Sequence, residues 1–309
     1  MAILKKTLKD AKFDGIFSEV THSESLGLMN PHDLRTFHLN VANNAFSFNA
    51  LHNFLVSNIG RYVYSRAQLG EFRVNDEMDD IGLRAVGLLR EAYDGSPPDS
   101  ISDELGDIML YVFLEQILEA PKIFSRIELV TSGSPKGFGN SGVHLSTIGN
   151  DPAAPSYQMV FGKSRIEGVL SDAVDEAFNA IEAIRDDKLN ELQLVDSAIF
   201  KQSFDDQTTE GLKKLILPSP SKPQMNKAFG IFLGYDVGLA GTTYPTADYL
   251  TQLNWKMQQD IKAHVSYIAS KIKAVKMEHY SFYVYILPLN DAAEDKREIM
   301  TSLLEGRIV

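Results

Sequence analysis

Cysteine is absent from the 309 residues, tryptophan occurs once, and basic side chains are outnumbered, 30 Lys and Arg against 41 Asp and Glu. The missing cysteines exclude disulfides, a thiol nucleophile and any zinc site built on sulfur. They fit a reducing compartment, and the cytoplasm is the predicted location. A formal charge of −11 argues against a chain that grips nucleic acid by itself, because phosphate binding draws on clustered Lys and Arg. The basic residues are scattered, with small groups at Lys5, Lys6, Lys9 and Lys12 and at Lys262, Lys271, Lys273 and Lys276. The second group lies in a helical pattern, and a solvated helix face explains it as simply as a weak positive strip does.

Long apolar runs are missing too. No stretch approaches the roughly 20 apolar residues of a membrane helix, and Met1–Asp10 is too polar for a signal-peptide core, so neither export nor membrane insertion is expected. Nucleotide loops are likewise absent. Gly162-Lys-Ser164 lacks the upstream glycine of a phosphate-binding loop, and Gly139-Asn-Ser-Gly142 has the wrong spacing for a nucleophile elbow.

What is present suffices for a core, since 44% of residues are hydrophobic. Residues 49–69 and 75–93 each carry an apolar stripe at helical spacing, ending near Gly70 and Gly95, whereas the first 40 residues show no clear period. Gly60, Gly82 and Gly87 inside these patterns indicate close helix packing. Asp94-Gly-Ser-Pro-Pro-Asp99 reads as a turn or linker, which predicts an amino-terminal helical region over 1–95 and an α/β domain over 96–309. Ser100 or Ser102 would cap a helix over 103–119 that Pro121 stops.

Two or three short strands are expected after that helix: 123–131, then a glycine-rich turn over 137–142, then 143–147 and 157–162, the last ending on Lys163-Ser-Arg165. A helix over 166–184 follows, with Val169, Leu170, Ala173, Ala177, Ala180, Ile181 and Ile184 on one stripe. Residues 186–209 are polar and carry no clear pattern, and Pro218, Pro220 and Pro223 punctuate a loop. Beyond it, a strand over 228–235, a helix over 246–275, a strand over 279–287 and a helix over 292–304 imply parallel pairing. The expected fold is therefore α/β: one mixed central sheet, flanked by helices, that collects strands from both sides of the polar segment.

The helix, strands and helix of 103–184 follow the order of a metal nuclease core. Phosphodiester hydrolysis of this kind needs two or three carboxylates to hold Mg²⁺ and a lysine to orient water. Glu104 and Asp107 stand three apart, hence on one face of their helix, although both also suit the helix dipole. Through Asp103–Glu115, Ala120-Pro-Lys-Ile, Gly142-Val-His-Leu145, Phe161-Gly-Lys-Ser, Ala173–Phe178 and Gly230–Tyr235 the chain resembles the HamA family of Hachiman antiphage-defence subunits, over roughly residues 30 to 290. The resemblance implies a restriction-endonuclease-like core, of the PD-(D/E)xK type, and an effector that acts on DNA with a HamB-type helicase partner.

At the expected catalytic positions the sequence departs from that pattern. Lys163-Ser-Arg165 stands where Glu-x-Lys is expected, and Ser141 stands where an Asp would precede Gly-Val-His. Glu104 and Asp107 remain as metal candidates if Mg²⁺ binds, with Glu167 two residues past the strand motif. His144 is a candidate acid or base, although a lone strand histidine is often a hydrogen-bonded structural residue. Three readings stay open: an altered site in which Lys163 and Arg165 hold phosphate beside Glu104, Asp107 or His144; a nuclease fold turned regulatory or interaction subunit; or an ion-pair network that neutralises the two acids.

Overall fold

The computed structural model describes residues 4–9, 12–95, 98–131, 141–148, 156–186, 200, 203–216 and 225–306. A seven-stranded mixed sheet forms its centre. With β1 (Phe17–Val20), β2 (His32–Leu39), β5 (Lys122–Ser125), β6 (Gly142–Ile148), β7 (Ser156–Ile166), β8 (Asn226–Asp236) and β9 (Ser281–Leu289), the order is β1-β2-β9-β8-β7-β6-β5. The inner strands β2, β9, β8 and β7 pair in parallel, while β1 at one edge and β6 and β5 at the other run antiparallel. A separate hairpin joins β3 (Val41–Ala42) to β4 (Ala45–Phe46).

The expected mixed sheet is present, and it reaches further back along the chain than the hydrophobic pattern indicates. The first 40 residues contain β1 and β2, which pair with each other and with β9. β1 has only four residues and β2 is buried almost continuously toward its end, so no alternating period emerges from the sequence. The expected helix over 49–69 is two, α1 (Asn49–Val63) and α2 (Arg66–Val74), because the Ser65 hydroxyl accepts from the Gln68 amide while the Gln68 side chain takes the Ser65 amide. Helix α3 runs over Ile81–Ala92 and a short α4 over Pro98–Ser102, so Ser100 and Ser102 lie within α4 rather than capping the helix that follows.

That helix, α5 (Glu104–Gln116), is the central one. It is buried on every side from Glu104 to Glu115, as its near-continuous apolar sequence requires. The sheet admits it closely through glycine: a Cβ at Gly162 would meet Leu110 at 2.8 Å and one at Gly230 would meet Leu114 at 2.7 Å. With α1, α3 and the closing helix α10 (Ala292–Glu305), α5 covers one face of the sheet, in a core that includes Phe37, Phe113, Tyr285 and Leu303. The opposite face is covered by α7 (Leu170–Asp186), α8 (Asp206–Ile216) and the 29-residue α9 (Thr246–Ala274), around Val174, Phe178, Ile268 and Phe282. The α9 crossover joins parallel β8 to β9, as expected.

One expectation fails near the site. The predicted strand over 123–131 is β5 followed by helix α6 (Arg126–Thr131). Ser125 and Glu128 explain the switch: the Glu128 amide donates to the Ser125 hydroxyl at 3.4 Å, and the Ser125 amide donates to the Glu128 carboxylate at 3.1 Å. This reciprocal cap starts a helix in the middle of an alternating run. The glycine-rich turn up to residue 140, the proline loop over 218–223 and residues 187–199, 201 and 202 of the polar segment over 186–209 lie outside the described residues, and the end of that segment begins α8.

Candidate functional site

The two carboxylates read from the sequence meet where the first turns of α5 pass the carboxyl end of β7. Both are buried, at 0% and 3% exposure. Glu104 accepts hydrogen bonds from the phenols of Tyr62 on α1 and Tyr93 just past α3. Asp107 accepts from the Ser164 hydroxyl on β7, and Ser164 in turn lies 3.4 Å from the hydroxyl of Ser141 at the start of β6. Between the acids sits Arg126, whose guanidinium is 3.4 Å from Glu104 and 3.2 Å from Asp107.

Burial drives the electrostatics. It raises the Glu104 carboxyl from 4.5 to about 7, helped by the charge on Asp107 and opposed by Arg126 and the two phenols. The same burial, with Glu104 alongside, pushes the Tyr62 and Tyr93 hydroxyls far up, so both stay protonated donors. Burial alone would lower Arg126, but Asp107 and Glu104 outweigh it and hold the guanidinium charged.

The other residues singled out in the sequence are placed elsewhere. Alternation along β7 turns Ser164 toward α5 and Lys163 and Arg165 toward the opposite face, where Arg165 is 3.1 Å from Glu176 of α7. Lys163 is pushed down to about 8 by burial and by Arg165, with the charge of Asp107 acting against both. His144 shares the α5 face of the sheet, packed near Tyr111 one turn beyond Asp107. Its Nδ1 is 2.8 Å from the Ala120 carbonyl, and burial lowers it to about 4, so at neutral pH it is an uncharged ring donating to the backbone. Glu167 follows β7, its amide donating to the Gly234 carbonyl at 3.1 Å and its carboxyl raised by burial.

Arg126, Tyr62 and Tyr93 were not singled out in the sequence, and only Arg126 had a usable signal. Ser125-Arg-Ile-Glu128 is a capping box, which starts a helix at Arg126 and swings that side chain back over α5. A second buried network fixes the same corner. The Lys122 amine pairs with Glu128 and donates to the carbonyls of Arg61, Tyr62 and Tyr64 at 2.9–3.0 Å, closing the carboxyl end of α1. The backbone amide of Lys122 donates to Glu115 at 2.8 Å, and Glu115 also takes the amides of Thr7 and Leu8.

This donor set does not fit Mg²⁺. The ion needs about six oxygen ligands at short range, including several waters. Here both Glu104 oxygens are taken by phenols, both Asp107 oxygens by Ser164 and Arg126, and the strand positions offer neutral serines. A guanidinium already occupies the place between the acids where a cation would sit. Among the described residues no group of three or more His, Asp or Glu converges as a metal site.

A mixed seven-stranded sheet with a fully buried central helix and an arginine-clamped acid pair at its strand ends defines an α/β protein with a site built at the helix–sheet seam. The chain belongs to the HamA family, whose sequence profile matches residues 14–303. That membership makes it a Hachiman antiphage-defence subunit. No curated protein and no solved structure matches it. Among the described residues no helix is long and apolar enough to cross a membrane.

Proposed function

We propose that this chain is the effector-side subunit of a Hachiman system in the cytoplasm, working on DNA through a HamB-type helicase, with a nuclease-derived core that does not itself cleave by a metal mechanism. The observation that carries the reading is Arg126, fixed between Glu104 and Asp107. Its guanidinium balances two acids that would otherwise be buried charges, and it needs no catalysis to explain it. Ser164, bonded to Asp107, and Ser141 behind it bring no charge to recruit a second cation. The net charge of −11 supports a division of labour in which the helicase supplies the grip on DNA.

The test is cleavage by the purified pair of subunits. Linear and supercoiled DNA are incubated with the complex and Mg²⁺ or Mn²⁺, using wild type, Glu104→Gln and Asp107→Asn. The expected result is no strand scission that depends on either carboxylate. Robust degradation abolished by either substitution would establish a working nuclease and overturn the proposal.

A further inference from the structure

Helices α1 and α3 approach closely because glycine lies at their crossing. A Cβ at Gly60 would meet Ile81 at 2.6 Å, and one at Gly82 would lie 3.3 Å from the Val56 carbonyl. Their outer sides then diverge, and with the end of α10 they enclose a cavity of about 690 Å³. Its lining is mixed, an apolar floor with charged side chains around it. Leu83 and Val56, both exposed large hydrophobic side chains, stand at 80% and 43% exposure in its lining, beside Val86 and Leu303. Gly87 leaves the wall open, with nothing within 4 Å of where its Cβ would be. A cavity of this size accepts a few large side chains from a docked helix.

The charged rim indicates what docks. Lys9, Arg61 and Arg90 border the cavity against Asp79 and Glu305, a local excess of cations in a chain of net charge −11. Arg90 is tied to the Leu304 carbonyl. The half-buried Arg61 guanidinium has no carboxylate partner among the described residues, and burial already lowers its pKa. A cation beside an apolar floor is completed by an anion delivered with apolar anchors. The geometry points to a docking groove for an amphipathic helix of a partner protein, apolar at helical spacing and acidic along its flank. The groove lies on the outer side of α1 and α3, away from the acid cluster, so the inference does not depend on what that cluster does.

The test uses the full-length chain and a fluorescein-labelled synthetic helix about five turns long, leucine-lined with glutamate flanks, and a matched peptide with lysine flanks. Anisotropy should show the glutamate peptide binding at least about tenfold more tightly than the lysine peptide. Gly87→Trp, which fills open space, and Leu83→Glu, at an exposed position, should each weaken it by about tenfold or more without lowering the melting temperature. Arg61→Gln should erase the preference between the two peptides. Failure of the glutamate peptide to bind, equal binding of both peptides to wild type, or unchanged binding to Leu83→Glu would overturn the inference. So would light scattering that shows a dimer of this chain abolished by Gly87→Trp, because a second copy would then be the occupant.

Discussion

Glu104 is a carboxylate out of reach of water, so its charge rests on two phenols and one guanidinium. In the folded chain it keeps its proton up to about pH 7, whereas an unfolded glutamate releases it near 4.5. Between those values the folded state binds more protons, so this group's contribution to stability falls as pH rises through the window. Glu104→Gln keeps the shape and removes the titration. The melting temperature of the variant minus that of wild type should therefore be more positive above pH ~7.5 than near pH ~5, and a flat difference would contradict the assignment. Taking the difference cancels His144, whose lowered pKa acts the other way, losing stability as pH falls from 6.5 toward 4. Arg126→Ala tests the clamp directly. Breaking a fully buried pair costs about 3–5 kcal/mol, but Arg126 is 37% exposed and water screens part of the loss, so about 1–3 kcal/mol is expected by urea denaturation. Adding Glu104→Gln to Arg126→Ala should recover part of it.

Among the elements, α5 decides most, because it touches both the sheet and the acid cluster. Its Gly106 lies against β7: a Cβ there would stand 2.9 Å from the Ser164 hydroxyl and 3.1 Å from the Ser164 Cβ. Gly87 on α3 faces open space instead. Helix propensity favours alanine over glycine by about 1 kcal/mol at either place. Packing separates them. Gly87→Ala should stabilise the protein by up to about 1 kcal/mol, while Gly106→Ala should destabilise it by about 1–3 kcal/mol through overpacking. Denaturant midpoints of the two variants check this, and a stabilising Gly106→Ala would show that α5 sits less tightly on β7 than these distances state.

For the whole molecule, charge is the governing quantity. At −11, with Lys271 of α9 already paired to Asp175 at 2.7 Å, the isolated chain should bind duplex DNA weakly. Filter binding at about 0.15 M salt should show little retention until the helicase subunit is added. Tight, salt-sensitive binding by the chain alone would refute that proposed division of labour, as would failure of a HamB-type helicase to co-purify with it. Mg²⁺ or Mn²⁺ should leave the melting temperature unchanged, since only an ion that binds the folded state raises it.

Local spacing alone determined the helical stripes of α1 and α3, the strands β6 and β7, the β8-α9-β9-α10 run and the placing of Glu104 and Asp107 on one helical face. Each is written within a few residues, where the helix and strand periods act. The capping box at Ser125 was equally local, but it was masked by the alternation around it. Tertiary structure alone decided which cation meets the two acids. Lys163 and Arg165 lie nearer in the chain to the strand-end motif than Arg126 does, yet the pleat of β7 turns Arg165 to Glu176 and presents Ser164 to Asp107. Tyr62, Tyr93 and Arg126 reach Glu104 from three separate elements, brought together because α1, α3 and α6 all pack around the one buried helix. No short-range pattern encodes that convergence, since it depends on sheet register and helix packing across 42 residues of chain.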